Sequence, residues 1–227
     1  MKILAIDTAT EACSVALTVG DELLERHQLA PREHASLVLP WVEELLAESG
    51  YRLPQLDAIA FGCGPGSFTS LRIGLGVVQG LALGAGLEVL PVSSLRALAQ
   101  AAYEASGEEH IAAMTDARMQ QVYCGFFKVG KTGLVHGYAE EAVLSPAAVK
   151  PPAEHSWVGA GNGFDQYRAE LEQAMGNRLA GIIADQWPRA SCLIRLAVED
   201  LQTKPLLPPE QALPNYVRNK VADKPAS

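Results

Sequence analysis

Two aspartates and one glycine-rich run have the residue types and settings for phosphate chemistry. Asp7 follows the apolar run Ile3–Ile6, and Asp116 follows a second such run. Each ends a strand-like segment and opens a polar turn. Facing each other across a cleft, such a pair could hold a metal or activate a water. The turns behind them, Thr8-Ala9-Thr10 and Ala117-Arg118-Met119, lack the glycine that lets a backbone wrap a phosphate. Strand-end aspartates also serve simply to cap turns. The run Gly62-Cys63-Gly64-Pro65-Gly66-Ser67-Phe68-Thr69-Ser70-Leu71-Arg72-Ile73-Gly74 reads as strand end, glycine turn and helix N-terminus. Ser67 or Thr69 can cap that helix, whose free N–H groups then face outward. Such a turn either cradles an anion or makes the tight corner that packs the helix on its sheet.

Other chemistries find less support. The five histidines (His27, His34, His110, His136, His155) include no pair three or four residues apart, so no helical metal pair exists. His34 precedes a helix and suits a turn or capping role. No Gly-x-Ser-x-Gly elbow is present. Cys13, Cys63, Cys124 and Cys192 are far apart among apolar neighbours, which fits buried thiols in a reducing compartment. With 227 residues and a net charge of −8, the chain lacks the basic footprint that phosphate backbones require. Arg218, Lys220 and Lys224 read as a solvated end. The acidic residue at position 7 stops the first apolar run too early for a signal peptide. The longest apolar stretch, Ile73 to Leu87, is interrupted by Gln79 and five glycines and reads as falling short of a membrane span. A soluble protein of the cytoplasm is expected.

The elements that would position these residues alternate. Strands are expected at Ile3–Ile6, Ala12–Val19 and Glu22–Leu29, with a hairpin at Gly20-Asp21. A helix follows, with Leu37, Val38, Trp41, Val42, Leu45 and Leu46 at helical spacing and Pro40 in its first turn. A strand at Leu56–Phe61, a helix to about Ala85 and a strand at Glu88–Val92 complete the half. The second half repeats the order. Asp7 and Gly20 are 13 residues apart, Asp116 and Gly130 are 14 apart. Later, Ser156-Trp157-Val158 runs into Gly159-Ala160-Gly161-Asn162-Gly163-Phe164, echoing the first glycine turn. Helices follow at about Phe164–Met175 and Ala190–Leu201, then an irregular stretch from Pro205 to Pro214. A duplicated α/β lobe with a cleft between the copies is the expectation, divided at 1–102 and 103–227, with the late helix packing back on the first lobe.

One pattern is less ordinary. Gly76, Gly80 and Gly84 recur every four residues and line one helix face. Each costs about 0.5–1 kcal/mol relative to alanine in a helix interior, so a close neighbour is implied. That neighbour is either this lobe's own sheet or first helix, or a helix of another molecule in a bundle that includes Trp41.

The opening Met1-Lys2-Ile3-Leu4-Ala5-Ile6-Asp7-Thr8-Ala9, the block Gly64-Pro65-Gly66-Ser67-Phe68-Thr69, Asp116-Ala117-Arg118 with Val122-Tyr123, and the closing Pro214-Asn215-Tyr216-Val217-Arg218-Asn219 together resemble the TsaB (YeaZ) family. The resemblance implies an actin-like α/β fold of two ribonuclease-H-like lobes. It also implies a place in the bacterial machinery that makes threonylcarbamoyladenosine beside the anticodon of tRNAs reading codons that begin with A. There the chain would be a non-catalytic partner of the larger paralogue TsaD, which holds a metal through histidines of an Asn-His-Leu-Glu-Gly-His motif. The matching stretch here is Ser93-Ser94-Leu95-Arg96-Ala97-Leu98, with both histidines replaced, by Ser94 and Leu98.

The resemblance therefore implies no catalytic residue, no metal and no cofactor on this chain, with ATP and metal on partner subunits. Leu37, Trp41 and Leu45 with Arg72, Gly76, Gly80 and Gly84 would form the partner interface. Asp7, Thr8, Gly64, Gly66, Ser67, Asp116 and Gly161 would mark a vestigial nucleotide cleft. The ATPase TsaE would join the pair, the chain alone would form a homodimer, and tRNA would be contacted only indirectly, with no membrane involved. The rival classes are an ATP-dependent phosphotransferase of the same fold and a metallopeptidase, disfavoured by the missing turn glycines and histidine pair.

Overall fold

A computed structural model describes residues 1–217. Arg218, Asn219, Lys220 and Lys224 therefore lie outside the described residues. Strands β1 (Lys2–Asp7), β2 (Ala12–Val19) and β3 (Glu22–Leu29) form an antiparallel meander, followed by α1 (His34–Ser49). Then come β4 (Ala58–Gly62), α2 (Phe68–Ala85), β5 (Val89–Val92) and α3 (Ser94–Ser106). The first sheet has the order β3-β2-β1-β4-β5, with β4 parallel to both β1 and β5.

The second half builds the same sheet. It comprises β6 (His110–Asp116), β7 (Val122–Val129), β8 (Val135–Gly137), β9 (Ala142–Leu144), β10 (Trp157–Ala160), α4 (Asn162–Gln166), α5 (Arg168–Met175), β11 (Leu179–Ile183) and α6 (Ala190–Asp200). Its order is β11-β10-β6-β7-β8, with β9 on β7. Each lobe thus has an antiparallel meander whose first strand carries two parallel strands on its other side. This is a ribonuclease-H-like lobe occurring twice, the actin-like arrangement.

Alternation along β1 explains the layering. Leu4 and Ile6 face a core shared with Val38, Val42 and Leu45 of α1 and Val78 and Ala82 of α2. Ile3 and Ala5 face the other way, onto α3 and α6. Ile111 and Ala113 of β6 turn to that same central layer, while Ala112 and Met114 face Phe164, Leu171 and Met175 of α4 and α5. The central helices are exchanged. α3 follows the first sheet in sequence but packs on β6, β7 and β8, whereas α6 comes late and packs on β1, β2 and β4. The expected division between residues 102 and 103 falls inside α3.

Three sequence expectations are corrected. Pro40 is the seventh residue of α1, not part of its first turn. The helix expected over Phe164–Met175 is broken at Tyr167 into two. α3, β8, β9 and β11 carried no expectation. Finally, α2 is long and apolar enough to cross a membrane by length and composition alone, although Leu71, Gly74, Val78 and Ala82 bury one side of it against the first sheet's core.

Candidate functional site

The glycines of the first run make room for the end of β1. A Cβ on Gly62 would collide with the Asp7 carboxylate, one on Gly74 with Thr8 Oγ1, and one on Gly66 with the Ala9 carbonyl. Three consecutive residues are thus each covered by a glycine. Thr8 donates its hydroxyl to the Ser70 carbonyl at 2.7 Å, tying β1 to the start of α2. Gly64 adopts φ +96°, a left-handed conformation that suits glycine, beneath Leu71 and the Asn215 carbonyl.

Asp7 is 1% exposed. Its carboxylate accepts from the Ala9 amide at 2.8 Å and from the Ser94 hydroxyl at 2.7 Å. Burial raises its pKa above the ordinary carboxylate range, despite the opposing hydrogen bonds and nearby His34. Buried and already engaged by two donors, it lacks the exposure of a metal ligand or general base.

Between the lobes lies a cleft of about 690 Å³. Gly66 and Ser67 line it from the first lobe, Thr115 and Asp116 from the second. Ser67 is the α2 N-cap, accepting from the Ser70 amide at 3.4 Å. Asp116 accepts from Arg118 Nη1 at 2.8 Å, from the Arg118 amide at 2.8 Å and from the Tyr167 hydroxyl at 3.1 Å. Arg118 also reaches Glu11 of the first lobe at 3.1 Å, and Asn162 Nδ2 donates to the same carboxylate at 2.9 Å. Arg118, Met119 and Gln120 all have φ between +53° and +60°, which bends the turn so that Arg118 can bridge the lobes. Asp7, Thr8, Gly64 and Gly161 do not line the cleft. Gly161 is packed against the Met114 carbonyl at φ +101°.

The metal of the wider family does not fit this chain. Ser94 is committed to Asp7 and Gly64, and Leu98 is fully buried in the central core. His34 is buried with Nε2 at 3.0 Å from the Thr10 carbonyl. Among the described residues no group of three His, Cys, Asp or Glu side chains is arranged to hold an ion. All four cysteines are free, and burial pushes the Cys63 thiol up to about 12, so none is a poised nucleophile.

The proposed interface residues divide. A Cβ on Gly76, Gly80 or Gly84 would meet nothing within 4 Å. Among the described residues, no internal neighbour, which was one reading of this stripe, approaches these glycines. Arg72 continues the stripe, its guanidinium 3.2 Å from the Phe68 ring centre and 5.4 Å from that of Tyr216. Leu37 and Trp41 are half-buried beside the α1–α2 core. Leu45 is corrected: it is 0% exposed and has no surface to offer a partner.

The chain as a whole is similar to known proteins. A tRNA threonylcarbamoyladenosine biosynthesis protein TsaB from Escherichia coli is 39% identical, over 99% of this chain and 97% of its own. The chain belongs to the TsaB family. A TsaB from Haemophilus influenzae is 38% identical over 99% of this chain and 96% of its own. YeaZ from Pseudomonas aeruginosa superposes with a TM-score of 0.88 at 44% identity, covering 95% of this chain and 99% of that one. The family model of TsaD, described as tRNA N6-adenosine threonylcarbamoyltransferase, matches residues 26–224, so the TsaB fold here shares its plan with a transferase. What sequence reasoning missed is the bridge across the cleft. Neither Glu11 nor Asn162 carried any signal, because their pairing with Arg118 and Asp116 exists only after the lobes meet.

Proposed function

We propose that this chain is a non-catalytic subunit that scaffolds and activates the bacterial tRNA threonylcarbamoyl transferase. It supports threonylcarbamoyladenosine formation beside the anticodon of tRNAs reading codons that begin with A. The observation that carries the reading is the open glycine face of α2. Three glycines on a helix that gains nothing from them inside its own fold are what a helix of another molecule needs for close approach. The catalytic paralogue TsaD docks on that face with α1 beside it, and the ATPase TsaE joins the pair. In the absence of TsaD a second copy of the chain takes its place. The buried Asp7 and paired Asp116 support a role without chemistry, metal or nucleotide cofactor of its own. A net charge of −8 supports leaving tRNA contact to the other subunits, in the cytoplasm.

The test is a reconstituted modification assay with purified partners and tRNA. Leaving out this chain should abolish product, and the chain alone should neither turn over ATP nor retain zinc or iron stoichiometrically. Modification that proceeds equally well without it would end the proposal.

A further inference from the structure

We infer that a second cavity, at the outer edge of the first sheet, binds a small zwitterion with an apolar body, the class to which apolar and aromatic amino acids belong. The cavity holds about 450 Å³ and is built by β3, the C-terminal half of α3 and the segment leading from β11 into α6. β3 is the last strand of its sheet, so no further strand covers it on that side. No lining residue is shared with the interlobe cleft, and none comes from α2. The inference is independent of the scaffold reading.

The walls carry three features that the fold itself leaves unused. Trp187 is half-buried, yet it belongs to none of the three apolar cores, and its indole N–H has no acceptor among the described residues. Leu23, 37% exposed, is likewise outside those cores and lines the same cavity. Together they form an apolar platform with one polar handle. Arg189 and Arg195 engage only part of their donor forks. Arg189 gives Nε and Nη2 to Glu25, and Arg195 gives Nη1 to Glu104. Their remaining N–H groups suit a carboxylate. Asp185 is exposed at φ +54°, uncommon for a residue with a side chain, and makes no hydrogen bond or ion pair among the described residues. The charges decide the class. Two guanidiniums face three carboxylates, those of Glu25, Glu104 and Asp185. Burial, with Arg189 nearby, holds His27 below the ordinary imidazole range, so it adds no cation near neutral pH. A plain anion would meet an excess negative charge, and a plain cation would leave the arginine donors unmet. A ligand carrying both charges satisfies the arginine forks and Asp185 at once.

The experiment titrates the full chain with L-phenylalanine, and then with phenethylamine and N-acetyl-L-phenylalanine, which each lack one of its two charges. Calorimetry and tryptophan emission follow binding. Saturable binding of L-phenylalanine is expected, about tenfold weaker for either analogue, the scale of one hydrogen bond to a charged group. Asp185→Asn and Arg195→Gln should each weaken L-phenylalanine about tenfold as well. Both side chains are exposed, and asparagine tolerates the left-handed position, so wild-type melts are expected of both variants. The emission change should vanish in Trp187→Phe while calorimetric binding persists. Absence of saturable binding would overturn the proposal. So would equal affinity for either analogue, because the cavity would then read one charge or the ring alone. Affinity unchanged in both charge variants, or an emission change kept in Trp187→Phe, would place the ligand elsewhere and overturn it too. None of these outcomes bears on assembly with TsaD.

Discussion

Two sets of glycines lie within one short stretch of chain, and they answer to different neighbours. Gly62, Gly66 and Gly74 are pressed against Asp7, Ala9 and Thr8, where any side chain would collide. Gly76, Gly80 and Gly84, beginning two residues further on, face open space. The first set offsets its backbone entropy inside the fold, by letting α2 sit directly on the end of β1. The second set gains nothing there. A glycine therefore reports a close approach, and only the structure tells whether the approaching group belongs to the same molecule.

The contrast can be broken by substitution. Gly66→Ala should have the largest effect, because its methyl meets the Ala9 backbone and not a movable side-chain tip. A loss of about 3 kcal/mol is expected, read as a melting temperature lowered by roughly 10 °C. A wild-type melt would show that the corner is not tight. Gly80→Leu should leave the melt of the isolated chain unchanged or raised, since leucine is the better helix former. Association with the paralogue, or with a second copy, should weaken about tenfold to a hundredfold, as overpacking a helix contact does. Analytical ultracentrifugation alongside the melt separates the two. A variant that melts early yet assembles normally would move the stripe into the core.

Asp7 beneath Gly62 sharpens the first half of the comparison. Its pKa is raised by burial in the folded chain, so folding retains a proton that the unfolded chain releases above about pH 4. The stability it contributes is full below that pH and falls as pH rises toward the folded value, by up to about 1.4 kcal/mol per unit. Asp7→Asn removes this slope. Its stability relative to wild type, measured by denaturant melts from pH 4 to pH 8, should grow with pH, and a constant difference would mean Asp7 is charged in the fold. The smallest effect is expected at the matching position of the other lobe, where the turn carries no glycine. Asp116→Ala should leave reconstituted tRNA modification within a few-fold of wild type. A loss of about 100-fold, or about 2.7 kcal/mol, with assembly intact would make Asp116 catalytic.

Much of the plan was legible from local pattern. The apolar runs of β1 and β2, the Gly20-Asp21 hairpin and the Ser67 cap are short-range signals, and each appears where the residues place it. The duplicated order was visible because both lobes begin with an apolar strand ending in aspartate. α3 carried no expectation, although Leu95 and Leu98 lie with Ala97, Ala101 and Ala102 on its buried face. The three-residue β8 and β9 are too short to alternate detectably. At the site, Leu45 shares the helical spacing of Trp41, and spacing does not distinguish a core position from a rim. The stack of His110 on His155, 4.0 Å between centres, joins residues 45 apart and left no trace in local spacing.

The exchange of α3 and α6 has a consequence for how the molecule is made. Ile3, Ala5 and Ala16 present an apolar sheet face whose main cover is α6, residues 190–200. During synthesis from the N-terminus, that face emerges from the ribosome long before its cover exists. The first sheet must wait, or be shielded, until nearly the whole chain is available. A stop codon before residue 190 would thus leave no intact half-protein behind, because neither lobe carries its own lid.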